Sequence, residues 1–256
     1  MNENSIVFIT GSSKGIGRGV AQYLLSKDYK VIINGRNKSS LNETFNELSK
    51  NSKDNLFKVQ GDVSKENDVI QIKEFIEQRF GGINHLICNV GSGKSKVGLS
   101  ESMNEFKEMF DINFFNAVLV SKTLIPMIKN NNSNNKTITF ISSIAGIEYI
   151  NCPISYSCAK ASLNVFSKSL SKTLGSDHIR VNTISPGNIL FDGSTWDKKI
   201  TENKKETESY ISKNVPLNMF GSPLDIGRVV HHIISEKSSF LTGSNYVLDG
   251  GQNNKF

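Results

Sequence analysis

Tyr156 and Lys160 are four positions apart in a segment whose apolar spacing predicts a helix running to about Leu174. Side chains at this spacing lie on one face of a helix, so the phenol and the ammonium are predicted to be neighbours. A nearby ammonium lowers the pKa of a tyrosine, ordinarily about 10, and a cationic cofactor ring would lower it further. The pair therefore predicts an acid/base tyrosine beside a redox cofactor. Tyr-x-x-x-Lys also occurs by chance in many helices, so the interpretation depends on the rest of the chain.

A glycine-rich segment follows the first apolar run of the chain and precedes a predicted helix. Its glycines have the spacing G-x-x-x-G-x-G, which differs from the G-x-G-x-x-G dinucleotide fingerprint. Glycines at such a turn let backbone amides approach a pyrophosphate at the positive end of the helix dipole. The alternative is a merely tight turn. The segment reads Thr10, Gly11, Ser12, Ser13, Lys14, Gly15, Ile16, Gly17.

Short apolar runs alternate with amphipathic segments along the whole chain, which predicts a parallel sheet covered by helices on both faces. We see no domain-boundary linker, so the prediction is a single doubly wound, Rossmann-type α/β domain over residues 1–256. The predicted strands are 5–10, 30–34, 56–60, 85–88, 136–142, 179–184 and 245–248. After the glycine segment, the predicted helices are 39–50, 65–80, 102–129, the Tyr156 helix and 223–234.

Composition excludes several classes of function. The net charge of +6 is spread among interleaved acidic residues, which does not indicate nucleic-acid binding. No apolar run reaches membrane-spanning length, and the N-terminus does not resemble a signal peptide. The three cysteines and four histidines lack metal-ligand spacing, so we expect no metal centre. We expect a cytoplasmic protein that acts on a small molecule.

Several further positions complete a recognisable pattern. They are Asn89 and Gly91 after the fourth strand, Asn113 in the long helix, Ser143 after the fifth strand, and Pro186 and Gly187 after the sixth. Together with the glycine segment, Tyr156 and Lys160, they occur in the order typical of the short-chain dehydrogenase/reductase family, which this chain resembles over nearly its whole length. The resemblance implies an oxidoreductase that transfers a hydride between a nicotinamide and a carbonyl or secondary alcohol.

The resemblance also implies catalytic roles. Tyr156 would exchange a proton with the substrate oxygen, and Ser143 would hydrogen-bond that oxygen. Lys160 would bind the nicotinamide ribose and lower the Tyr156 pKa. Ser142 is the rival of Ser143, which we prefer because it precedes Tyr156 by thirteen residues, as in the family. The cofactor-binding positions implied are Gly11, Ser13, Lys14, Gly15, Ile16, Gly17, Arg36, Asp62, Val63, Asn89, Gly91, Tyr156, Lys160, Pro186, Gly187 and Ile189.

Asn113 lies inside the apolar stripe of its helix, and a buried amide is costly unless its hydrogen bonds are made. Two alternatives follow. The side chain satisfies neighbouring backbone groups, or it holds a water in a proton path. The resemblance implies both, with Asn113 positioning a water beside Lys160.

Charge predicts which cofactor is bound. Gly35 stands where NAD-preferring relatives carry an acidic residue that binds the ribose 2′-hydroxyl. Arg36 follows directly and Lys14 lies in the glycine segment, so two cations would suit a 2′-phosphate. We therefore predict NADP(H), against the alternative that both are ordinary surface cations. Asp62 and Val63 match adenine-binding positions, although Asp62 could instead cap the helix that begins near Ser64.

Substrate choice is less well defined. Residues 188–218 form an insert that closes over the substrate in this family, and it contains Trp196 and Phe191. Phe191 replaces a threonine that contacts the nicotinamide carboxamide in many relatives. The general pattern is similar to 3-oxoacyl-carrier-protein reductases, but Asn134 and Asp177 replace arginines that grip an acidic carrier. Alternatives are a sugar or polyol oxidoreductase and, in another class, a non-catalytic NADP-binding sensor or scaffold. Family members are usually homotetramers or homodimers packed through the Asn113 and Tyr156 helices.

Overall fold

Continuous runs of apolar, often β-branched residues form strands that are buried on both faces, as parallel sheets require. The structure, a computed structural model, describes residues 5–255 apart from the side chains of Asn51 and Lys53. Within this range, seven strands form one parallel sheet in the order β3-β2-β1-β4-β5-β6-β7. The strands are β1 Ile6–Ile9, β2 Lys30–Gly35, β3 Leu56–Gln60, β4 His85–Cys88, β5 Lys136–Ile141, β6 Ile179–Pro186 and β7 Asn245–Leu248.

The strand order reverses between β1 and β4, which pair side by side although two strands separate them in the chain. At such a switch point the connections leave toward opposite faces, and a crevice opens at the carboxyl ends of the strands. The predicted doubly wound fold is confirmed. The strands differ from the prediction by at most two residues at any end, and β6 extends to Pro186.

Helices cover both faces of the sheet, each burying one apolar side. One core cluster lies under α1 and α8, and the other lies under α3, α5 and α6. The helices are α1 Gly15–Leu25, α2 Lys38–Ser52, α3 Glu66–Phe80, α4 Met103–Phe110, α5 Asn116–Lys129, α6 Ile154–Thr173, α7 Thr195–Asn214 and α8 Pro223–Ile234.

The predicted long helix over 102–129 is a continuous helical run in three parts. A π-helical segment, Asp111–Phe115, joins α4 to α5 and contains Asn113. The hydrophobic periodicity continues through both flanking helices, so the sequence pattern gave no sign of the wider turn. π-Helical turns inside α-helices are frequent at functional sites, and this one faces the crevice through Asn113.

The insert over 188–218 contains α7, which begins behind a Ser194 side-chain cap and is kinked at Asn203. Three aromatic rings pack together here: Trp196 lies 5.1 Å from Tyr210 and 5.5 Å from Phe220, between ring centroids. The helix buries Thr207 and Ile211 and leaves most of its charged side chains exposed, so it is amphipathic. Residues 1–4 and 256 of the predicted domain lie outside the described residues.

A buried histidine at the opposite end of the sheet predicts acid lability. Burial lowers the pKa of His85 to about 3, and the positive charge of Arg180 adds to this. In the unfolded chain its pKa is about 6.5. The unfolded state therefore binds more protons below pH 6.5, so the free energy of unfolding should fall by about 1.4 kcal/mol per pH unit between about pH 6 and 4. Urea unfolding at several pH values measures this slope.

The matched pair is His85→Asn, which keeps a polar group able to bond Thr137, and His232→Asn on the exposed side of α8. The first substitution should flatten the pH dependence and the second should leave it unchanged. Equal slopes in the wild type and His85→Asn would contradict the assignment.

Candidate active site

The glycine-rich turn forms the floor of the crevice at the switch point. Gly11 and Gly15 adopt φ values of 61° and 57°, in the left-handed region that favours glycine. The first turn of α1 has no side-chain cap, so its amides face the crevice as an anion site. Ser13 and Ile16 are partly buried, and Lys14 is exposed at the start of α1.

Two asparagines hold this turn in place. The Asn34 side-chain oxygen accepts from the Gly11 amide at 3.2 Å, and its amide nitrogen donates to the carbonyls of Val59 and Gly61. Asn89 donates to the carbonyls of Thr10 and Gly11, both at 3.1 Å. Asn89, predicted to bind cofactor, therefore positions the turn with its side chain. Sequence reasoning missed Asn34, although a polar residue ending an apolar strand was a signal.

Gly17 shows how tightly this turn packs. A Cβ placed on Gly17 would lie 2.6 Å from the Asn89 side-chain nitrogen and 2.8 Å from the Gly11 carbonyl oxygen. Any side chain here would push the turn away from Asn89. Gly17 must therefore be a glycine because neighbouring atoms approach it closely, and not because of its backbone angles.

A cavity of about 570 Å³ opens beyond the carboxyl ends of β2 and β3. Arg36 lies on its wall, as predicted for a cation that meets a ribose phosphate, and Lys65 supplies a second cation that the sequence argument did not include. Lys14, which was predicted in that role, does not line this cavity. The walls comprise Arg36, Asn37, Gln60, Gly61, Asp62, Lys65, Asp68 and Gln71.

Gly35, where an acidic residue would favour NAD, has a steric reason to be glycine. A Cβ on Gly35 would lie 2.8 Å from the Ser13 hydroxyl oxygen and 2.9 Å from the Ser13 Cβ. The packing of Ser13 against β2 therefore excludes a carboxylate at this position. Position 35 therefore carries no anion beside Arg36, although Asp62 and Asp68 line the same cavity.

Asp62 and Val63, predicted to hold an adenine, are placed differently from each other. The Asp62 carboxylate accepts from the Ser64 amide and hydroxyl and lies 3.8 Å from the Arg36 guanidinium. The carboxylate therefore closes a turn before α3, which begins at Glu66 after the N-cap Lys65 and has no side-chain cap, so the capping alternative is wrong. Val63 is buried in the core under α3 with its side chain away from solvent.

Tyr156, Lys160 and Ser143 meet at the carboxyl end of β5. The Ser143 hydroxyl lies close enough to the Tyr156 phenol to lower the pKa of that phenol. The Lys160 Nζ lies 5.9 Å from the Tyr156 ring centroid and donates to the Ile141 carbonyl at 2.9 Å. Ser142, the rival of Ser143, donates its hydroxyl to the Lys160 carbonyl and is directed toward the α6 backbone. The geometry thus places Ser143, and not Ser142, beside the phenol.

Electrostatics differ here from the sequence expectation. Burial raises the pKa of Tyr156 above its ordinary value, and the neighbouring Ser143 hydroxyl offsets this only in part. Burial also lowers the pKa of Lys160 to about 8. The predicted lowering of the Tyr156 pKa is therefore wrong for the protein by itself, because one buried ammonium does not offset the cost of burying a phenolate. The remaining lowering would have to come from the cationic cofactor ring.

Asn113 is fully buried, and its amide group is satisfied by backbone. Its nitrogen donates to the carbonyls of Ser92 and Met109, and its oxygen accepts from the Ser92 amide. Of the two alternatives, backbone satisfaction is the one that this geometry shows. Gly91 lies between Asn113 and Lys160, since a Cβ on Gly91 would be 2.8 Å from the Asn113 oxygen and 3.0 Å from the Lys160 Nζ.

The segment after β6 forms the remaining wall of the crevice. Gly187 donates to the Leu248 carbonyl, and Ile189 pairs with Gly221 while its side chain enters the core. Pro186 is the last residue of β6. The Phe191 ring packs on the glycine turn, where a Cβ on Gly15 would lie 2.8 Å from it. A ring at this place contacts the crevice but cannot supply the hydroxyl that a threonine would.

In residues 5–255, no group of three or more histidine, cysteine, aspartate or glutamate side chains could hold a metal ion. In the same range, none of the helices is long and apolar enough to cross a membrane.

A doubly wound sheet with a glycine turn at its switch point and a tyrosine, serine and lysine beside it defines a dinucleotide-dependent oxidoreductase. A family model described as "Enoyl-(Acyl carrier protein) reductase" matches residues 11–253. The chain belongs to the short-chain dehydrogenase/reductase family and is an oxidoreductase of that family.

Individual relatives differ in the substrates that they are named for. The chain is 33% identical to a 3-oxoacyl-[acyl-carrier-protein] reductase of Chlamydia muridarum, over 97% of both chains. It is 28% identical to glucose 1-dehydrogenase 2 of Bacillus subtilis, over 95% of this chain and 92% of the relative. It superposes with a TM-score of 0.91 and 25% identity on L-sorbose reductase of Gluconobacter frateurii, complexed with NADPH and L-sorbose, over 100% of this chain and 98% of that one.

Proposed function

We propose that this protein catalyses NADP(H)-dependent interconversion of a carbonyl and a secondary alcohol. The observation that carries the proposal is the contact of Ser143 with Tyr156, with Lys160 alongside, at the edge of the glycine-turn crevice. The cavity wall bearing Arg36 and Lys65 supports NADP(H), since two cations favour a 2′-phosphate. The uncapped first turn of α1 fits the pyrophosphate.

The residues of the chain then have distinct tasks in reduction. When bound, NADPH supplies the hydride. Tyr156 donates its proton to the oxygen that becomes an alkoxide, and Ser143 hydrogen-bonds the same oxygen. Lys160 binds the nicotinamide ribose and favours the phenolate that remains. The π-helical segment around Asn113 lies next to Lys160 and holds the water from which Tyr156 is reprotonated.

We take 3-oxoacyl thioesters as the first candidate substrates because of the 33% identical relative. A neutral keto-sugar is the second, and one observation favours it. Asp177, at a position where carrier-reducing relatives have an arginine, forms an ion pair with Lys129 at 2.7 Å. The Asp177 carboxylate therefore neutralises the positive charge of Lys129, which would otherwise attract an acidic carrier.

NADPH oxidation with acetoacetyl thioesters, L-sorbose and other keto-sugars tests the proposal. Turnover of one class at least tenfold faster than the other selects the substrate. NADPH binding without turnover of any carbonyl would contradict catalysis and favour a sensor or scaffold.

We also propose a homotetramer or homodimer, packed through the Asn113 and Tyr156 helices. Phe115 and Val165 on these helices are more than half exposed in the single chain, which supports the proposal. Light scattering that gave only the 28.3 kDa mass of one chain would contradict it.

The unpaired thiols of Cys88, Cys152 and Cys158 support a reducing, cytoplasmic location.

A further inference from the structure

The first turn of α6, which carries Tyr156, has no cap of its own. Pro153 occupies the N-cap position and makes no side-chain hydrogen bond, and the first turn contains no acidic residue. The amides of a first helical turn lack partners within the helix and must find them elsewhere. The amide of Ser155, immediately before Tyr156, is one of these.

Glu101 supplies the partner from a distant part of the chain. Its Oε2 accepts from the Ser155 amide at 3.1 Å, and its Oε1 accepts from the Ser155 hydroxyl in a short hydrogen bond. Ser155 is fully buried, whereas Glu101 is only partly buried, so the carboxylate reaches the buried Ser155 from the solvent side. A carboxylate at a helix N-terminus is also favoured by the helix dipole.

The segment that ends at Glu101 runs along the active site. Its beginning is fixed by the hydrogen bonds between Ser92 and Asn113, and a Cβ on Gly93 would lie 3.8 Å from the Tyr156 ring. Its end passes into α4, whose start is held by Ser102 and Glu105. Between these points, Glu101 is where the segment is bonded to α6.

We propose that Glu101 is a positioning residue for the acid/base tyrosine. By bonding both polar groups of Ser155, it fixes the first turn of α6 against the 92–101 segment and so sets the Tyr156 phenol against Ser143. The inference rests on the proposed function for its catalytic consequence. The hydrogen bonds by which Glu101 caps α6 do not depend on that function.

The kinetic test compares Glu101→Ala with Glu101→Gln. Loss of the cap lets the first turn move, and a displacement of about 1 Å at a reacting group costs up to about 100-fold. We expect Glu101→Ala to lower kcat by about 10- to 100-fold while the KM for NADPH stays within about twofold. Glu101→Gln keeps an oxygen that can accept from the Ser155 amide, so kcat should return to within about threefold of wild type.

Glu105→Ala is the matched control, because Glu105 lies four residues beyond Glu101 and caps α4 instead of α6. It should change kcat by less than about twofold. Ser155→Ala in the Glu101→Ala background should add little to the single change, since both remove one interaction. Wild-type kcat in Glu101→Ala would overturn the proposal, and so would an equal loss in Glu101→Gln.

Amide hydrogen exchange tests the cap without any substrate. The Ser155 amide should be protected in the wild type and exchange at least about tenfold faster in Glu101→Ala, with Glu105→Ala unchanged. If no carbonyl is turned over but this difference appears, the proposed function fails and the cap remains. Unchanged Ser155 exchange in Glu101→Ala overturns the inference itself.

Discussion

Tyr156→Phe should abolish carbonyl reduction, lowering kcat by at least about 1,000-fold. Phenylalanine keeps the ring and its packing but removes the hydroxyl that lies beside Ser143. General acid catalysis by a positioned group contributes about 100- to 10,000-fold, and the developing alkoxide would also lose its proton donor. Stopped-flow NADPH oxidation measures kcat, and fluorescence titration measures the NADPH dissociation constant. That constant should stay within about twofold.

The control for Tyr156→Phe is Tyr149→Phe. Tyr149 lies seven residues earlier in the segment between Ser143 and α6, and its side chain is 89% exposed. It should retain wild-type turnover. Near wild-type turnover in Tyr156→Phe would remove the acid/base assignment, whereas a loss of NADPH binding in that variant would show that the phenol serves the cofactor instead.

Local sequence patterns were sufficient for the fold and for the chemistry that depends on short-range spacing. Apolar runs specify strands buried on both faces, and Tyr156 and Lys160 share a face because the helix period requires it. Ser143 could be chosen by its spacing, and its position beside Tyr156 agrees with that choice. The glycine turn was recognisable because its glycines follow a strand and open a helix.

Contacts between residues distant in sequence could not be predicted from local sequence patterns. Glu101 and Ser155 are 54 residues apart, and nothing in either segment indicates the other. Lys65 joins Arg36 on one cavity wall only because β2 and β3 end side by side. The predicted direction of the Tyr156 pKa shift was wrong for another reason. The sequence shows which charges are close to the phenol, but it does not show how much hydration the phenol loses on burial.

The cofactor prediction has the second-largest expected effect. Arg36→Ala should raise the KM for NADPH by about 10- to 100-fold and leave the KM for NADH nearly unchanged. Arg36 is largely exposed, with 78% of its side-chain surface accessible and only a long 3.8 Å contact to Asp62, so its guanidinium is free to turn toward a phosphate. A hydrogen bond to a charged partner contributes about 1.5–3 kcal/mol, which corresponds to roughly this range. Steady-state kinetics with both cofactors measure the ratio.

Lys65→Ala should act in the same direction, and Lys38→Ala provides the comparison. Lys38 is an exposed cation at the start of α2, two residues from Arg36, and it does not line the cavity. If general attraction of a basic surface for an anion were the cause, all three substitutions would weaken both cofactors alike, and more so at low salt. A selective loss of NADPH in Arg36→Ala and Lys65→Ala, but not in Lys38→Ala, assigns the effect to the 2′-phosphate. Tighter wild-type binding of NADH than of NADPH would refute the assignment. Gly35 has no side chain to accept a hydrogen bond from a 2′-hydroxyl, and Ser13 leaves no room for a side chain there.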